Sequence, residues 1–121
     1  MSKIAYLCTD LLFTSKIRET AQALGHTPAM ARDPAALAEA AREAAVVIVD
    51  LRLPAALPAL ERLRADEASR AGAAPVPVIG FCDHERTDLM DEARRAGCTQ
   101  VLAKGKFSSE LRHLLAQAGP A

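Results

Sequence analysis

The chain has no tryptophan, and aromatic residues make up only 3% of it. Its core must therefore be aliphatic, drawn from a hydrophobic content of 50%. Neither sign of charge is in excess: 15 basic and 15 acidic side chains leave a formal net charge of zero. That removes the positive field nucleic-acid binding relies on. No apolar run approaches the roughly 20 residues needed to span a bilayer. Met1-Ser2-Lys3 leads into a short strand-like run, without the apolar segment and cleavage site of a secretory signal. A cytoplasmic protein is expected. Cys8, Cys82 and Cys98 are odd in number and lack CxxC spacing, against both a disulfide framework and a zinc site. They read as buried, reduced thiols acting as small hydrophobes. No glycine-rich loop follows the first strand-like run, where Cys8-Thr9-Asp10-Leu11-Leu12 stands. This argues against a dinucleotide cradle.

What the chain does have is alternation of short apolar runs with longer amphipathic segments. Its 121 residues suit a single domain, 1–121, with 118–121 as a frayed tail. Strands are predicted at 3–8, 26–31, 45–49, 76–81 and 100–103. Helices are predicted at 14–24, 35–44, 56–68, 85–96 and 108–117. Gly25 and Gly97 stop two of the helices, Asp33-Pro34 starts another, and Ser108 or Ser109 is a candidate cap for the last. Five strands alternating with five helices imply a parallel sheet covered on both faces. The unit length fits a flavodoxin-like doubly wound sheet with strand order 2-1-3-4-5.

Asp50 is the most informative residue. It ends the buried run Ala45-Val46-Val47-Ile48-Val49 and is followed by Leu51-Arg52-Leu53-Pro54. A central strand delivering an acid to its carboxyl edge places it where open α/β sheets bind ligands. The Asp50–Pro54 spacing, the helix lengths and the segment Gly97 to Lys104 resemble the receiver domains of bacterial response regulators, over nearly the whole chain. The resemblance implies a CheY-like fold and a phosphorylation site. In that family two acids after strand one hold magnesium, a strand-three aspartate takes the phosphoryl group, and a Ser/Thr after strand four and a strand-five lysine bind it. Asp50 falls at the phosphoacceptor position and Lys104 at the lysine position, followed by Gly105 where the family has proline.

The other positions depart from that pattern. The acid pair falls on Cys8 and Thr9, with Asp10 one residue late. The Ser/Thr falls on Cys82, a poor hydrogen-bond donor, and the aromatic switch residue falls on Val101. Magnesium prefers octahedral oxygen ligation and dehydrates reluctantly. Asp10 with Asp50 would hold it weakly, so no cofactor is expected beyond weak Mg2+. Set against these roles, Asp10 reads as a helix cap, favoured slightly over a metal ligand. Asp50 reads equally well as a structural acid paired with Lys104, and Asp83 as the cap of helix four. Asp83-His84-Glu85 is a second polar cluster at the same edge. Leu11, Leu12 and Phe13 read as loop residues that fill the vacated acidic pocket or dock a partner, the first being favoured. Arg42, Arg62, Arg64, Arg70, Arg94 and Arg95 read as solvated helix faces.

The favoured reading is a stand-alone pseudo-receiver, not an enzyme, acting in signal transduction through a kinase or another signalling protein without efficient phosphorylation. The helix 4–strand 5–helix 5 face, with Met90, Val101, Phe107 and Leu111, is where a second copy would pair. Two alternatives stand beside it. One is a working receiver phosphorylated on Asp50 with Mg2+, its phosphoryl group bound by Lys104 and Cys82. The other is a small flavodoxin-like ligand-binding protein or enzyme using Asp10, Asp50, Asp83 and His84.

Overall fold

Side-chain parity along the central strands settles how the chain is layered. In the computed structural model, which describes residues 2–118, Ala5, Leu7, Val47 and Val49 face one core, and Ile4, Tyr6, Val46 and Ile48 face another. A strand buried on both faces needs apolar residues at every position rather than alternate ones, and that is what these runs supply. The elements, in order, are β1 (Lys3–Leu7), α1 (Leu11–Ala23), β2 (Thr27–Met30), α2 (Pro34–Ala41), β3 (Ala44–Asp50), α3 (Ala56–Ser69), β4 (Val78–Cys82), α4 (Thr87–Arg95), β5 (Gln100–Ala103) and α5 (Lys104–Ala116). The strands form one parallel sheet in the order β2-β1-β3-β4-β5, as predicted. Helices α2, α3 and α4 cover one face, and α1 and α5 the other.

The second core holds three of the four aromatic residues in a stack. Phe81 on β4 lies 4.3 Å from Phe107 on α5, nearly parallel, and Phe13 on α1 lies 4.8 Å from Phe81. Phe107, Leu111 and Leu115 are fully buried here. Phe107 and Leu111 therefore belong to the core and cannot contribute to an outer pairing face, leaving half-buried Met90 and Val101 from that set.

Helix boundaries depart from the periodicity at three places. α1 begins three residues early because the Asp10 carboxylate accepts the N–H groups of Leu12 and Phe13, at 2.9 and 3.2 Å. The slight preference for Asp10 as a cap holds, and Leu11 to Phe13 are helical. Asp83, by contrast, does not cap α4, which has no side-chain cap and begins only at Thr87. β5 runs directly into α5 at Lys104. Ser108 and Ser109 therefore lie inside the helix, Ser108 Oγ accepting from Lys16 Nζ at 2.6 Å and Ser109 Oγ donating to the Lys106 carbonyl at 3.1 Å. Ala118, assigned to the tail, is buried, and its N–H donates to the Leu115 carbonyl; 119–121 lie outside the described residues. Arg64 is not a solvated side chain either. Its Nε and Nη2 donate to the Gly97 carbonyl at 3.1 and 2.7 Å, tying α3 to the turn after α4.

The sheet is tightest beside β3. A Cβ added to Gly80 would lie 2.9 Å from both Cys98 Sγ and Leu51 Cδ1. Because overpacking a filled core forces neighbours aside, Gly80→Ala is expected to cost about 1–3 kcal/mol, measured as a lowered urea midpoint at unchanged m-value.

Candidate functional site

Asp50 shares the parity of Val46 and Ile48, so its carboxylate emerges on the α1/α5 side of the sheet. It is one of two buried polar residues among those described, 2% exposed, the other being His26. A carboxylate this deep needs a charged partner and filled hydrogen-bond positions. Both come from two residues further on. Arg52 folds back so that Nε donates to Asp50 Oδ1 at 2.9 Å and Nη2 to Oδ2 at 2.8 Å, a bidentate pair. The Arg52 backbone N–H adds a third bond to Oδ1 at 3.0 Å, and the Cys8 thiol approaches Oδ2 at 3.9 Å.

The same guanidinium reaches α1. Nη2 lies 3.2 Å from Asp10 Oδ2, while Asp10 Oδ1 caps the helix. The flat cation sits over apolar surface, 5.4 Å from the Phe13 ring centre and 5.7 Å from that of Phe81, within cation–π range. Of Leu11, Leu12 and Phe13, then, only Phe13 covers the acidic pocket. Leu11 and Leu12 are 83% and 78% exposed, contrary to the expectation that all three would fill it.

Lys104 is elsewhere. Its Nζ pairs with Asp83 Oδ1 at 2.6 Å, so the expected Asp50–Lys104 pair is replaced by two separate ones, Asp50–Arg52 and Asp83–Lys104. Cys82, the last residue of β4, is fully buried. His84 is exposed, with Glu85 its nearest acid at 3.7 Å. Asp10 and Asp50 thus come together through Arg52, Lys104 and Asp83 form a second cluster, and His84 stands apart from both.

Arg52 is the residue of this site that sequence reasoning missed. The available signal was an arginine two residues after a strand-end acid, close enough to return on a tight turn; Leu53 N–H donates to the Asp50 carbonyl at 3.2 Å and closes that turn.

The electrostatics follow from these contacts. The Phe13 N–H, followed by Arg52 and the Leu12 N–H, holds the Asp10 carboxyl below its ordinary pKa. Lys104 does the same for Asp83. Asp50 raises the pKa of Arg52 further, against the opposing effect of burial. Burial raises all three thiols, that of Cys98 to about 11. Cys8 and Cys82 are accordingly neutral at pH 7 and poor nucleophiles. Magnesium does not fit this donor set. Both candidate carboxylates are engaged by one arginine, and no group of three or more His, Cys, Asp or Glu among the described residues is arranged to hold a metal ion.

No family model and no curated protein matches the sequence. Solved structures do match. The receiver domain of a sensor histidine kinase from Pseudomonas aeruginosa, with a magnesium ion coordinated in its active site cleft, superposes with a TM-score of 0.75 at 20% identity, covering 96% of this chain and 95% of that one. A response-regulator receiver domain from Francisella matches with a TM-score of 0.75 at 18% identity, covering 98% and 96%. NtrX from Brucella abortus matches with a TM-score of 0.74 at 19% identity, covering 97% of this chain but 26% of that one. The chain has the receiver-domain fold. Within it, the carboxyl edge of the sheet carries an arginine between Asp10 and Asp50.

Two outcomes test this geometry. Removing one partner of a buried pair strands the other charge. Arg52→Ala should therefore cost about 3 kcal/mol, discounted because Arg52 is partly exposed, and Asp50→Asn in that background should recover part of the loss in urea titrations. The pH profile should be flat between about pH 5 and 8. Asp10 and Asp83 have folded pKa values below their unfolded ones, so their stabilisation is present above about pH 4 and is lost as pH falls through the folded values. The thiols have folded values above their unfolded ones, so theirs is present below about pH 8.5 and is lost as pH rises through the folded values. A thermal midpoint followed from pH 2 to 11 checks both limbs.

Proposed function

We propose that this chain is a receiver-fold signalling module that acts through protein–protein contacts and is not efficiently phosphorylated. The observation that carries the reading is the bidentate Arg52–Asp50 pair. Phosphoryl transfer to a carboxylate requires a free attacking oxygen in line with the donor and a cation poised on the phosphoryl oxygens. Here both Asp50 oxygens are engaged, and the metal that would neutralise the incoming charge has no vacant ligand set. Lys104, bound to Asp83 at 2.6 Å, would have to break an ion pair to reach a phosphoryl group. Cys82 offers only a weak thiol donor.

Partners are other proteins, a kinase or a downstream signalling target. Pairing of two copies through the α4–β5–α5 face would rest on the limited apolar surface of Met90 and Val101. A standard stable interface buries roughly 1,200–2,000 Å², so such pairing would be weak.

Intact mass after incubation with acetyl phosphate and Mg2+ tests the proposal on the parent and on Asp50→Asn. The expected result is no adduct on either protein. A phosphoryl adduct on the parent that Asp50→Asn abolishes would make this a working receiver.

A further inference from the structure

We propose that Arg52 is a built-in cation standing where a divalent metal would bind between Asp10 and Asp50, which fixes this edge of the domain in one paired arrangement. The inference rests on the non-phosphorylated reading above and extends it to the regulation of the same site: neither metal nor phosphoryl donor resets it.

The two carboxylates converge on a single atom. Arg52 Nη2 is 2.8 Å from Asp50 Oδ2 and 3.2 Å from Asp10 Oδ2. A cation at that point would bridge the two acids, and the guanidinium already does. The lone pairs of Asp50 are also spoken for. A carboxylate offers about four acceptor positions, and Asp50 meets the Arg52 Nε, Nη2 and backbone N–H groups together with the Cys8 thiol. Three of those positions are taken by N–H donors of Arg52, and the Cys8 thiol stands 3.9 Å from Oδ2.

The surroundings also favour the planar guanidinium over an ion that keeps several waters. Phe13 and Phe81 lie against the flat cation with ring faces, a contact that a hydrated ion makes less well. Cys8, on the strand end beneath the site, supplies a thiol kept neutral by burial. Competition also favours the tethered group. A cation held two residues from its acid acts at an effective concentration set by a short linker, which ions diluted in solution do not match. Arginine keeps its charge throughout the working pH range and presents a planar fork that fits a carboxylate. The same side chain therefore joins the turn after β3, the N-terminus of α1 and the face of β4 into one unit.

Mn2+ is the probe: binding is read by water-proton relaxation and thermal midpoint on the parent, Arg52→Gln and the Arg52→Gln/Asp50→Asn double variant. The parent is expected to show no saturable binding in the millimolar range. Arg52→Gln should acquire one Mn2+ per chain and a midpoint that rises with Mn2+ by linkage, and the double variant should lose that site. Equal binding by the parent and Arg52→Gln would overturn the proposal. So would a folded Arg52→Gln that binds nothing. Should that variant not fold, the parent still decides: its Arg52 Nε–H resonance should stay unmoved and slowly exchanging as Mg2+ is added, and a shift on titration would overturn the proposal. The functional reading fails on different evidence, a phosphoryl adduct on Asp50, so the two can fall separately.

Discussion

A buried carboxylate at the end of the central strand is the constraint around which this edge of the molecule is arranged. Asp50 is too deep to be solvated and must carry its charge against a partner. The partner is local in sequence, which reduces the entropy lost in bringing them together. It is also planar, so the two groups satisfy each other without help from solvent. With that pair made, Phe13 can lie against the guanidinium, Asp10 has an outward partner for its second oxygen, and α1 can start close to the sheet. Remove the pair, and each of these contacts loses its reason.

In the relatives of this fold the resemblance implies that the corresponding pocket is a place of exchange, where an ion and a phosphoryl group come and go. Here Arg52, a side chain of the protein itself, lies between Asp10 and Asp50. A sheet edge rich in unpaired carboxylates repels itself until something cationic arrives. This one is partly neutralised within the fold: the carboxylates of Asp10, Asp50 and Asp83 are met by Arg52 and Lys104.

Much of this was legible in the residues. The apolar runs at 45–49 and 76–81 have the continuity of doubly covered strands, and the length of each strand–helix unit fits the order 2-1-3-4-5 that the sheet has. Asp50 stood out because an acid directly after such a run is costly unless it has a task or a partner. The identity of the partner was not legible. A side chain with four rotatable bonds can reach many places from position 52, and only the turn closed by Leu53 aims it backwards. The start of α1 was obscured because Leu11-Leu12-Phe13 carries the hydrophobicity of a buried loop but only one of the three is covered. The start of α5 was obscured for the opposite reason: Lys104-Gly105-Lys106 has no capping residue or helix-forming bias, and the helix begins there because β5 leaves no connecting residue.

That missing connector has a mechanical consequence. Lys104 is the first residue of α5, immediately follows the last residue of β5, and is held by Asp83 in the turn that precedes α4. With no slack between strand and helix, a tilt of α5 about its first turn cannot be absorbed by a loop. It bears on the 2.6 Å ion pair that ties the entrance of α5 to the turn before α4.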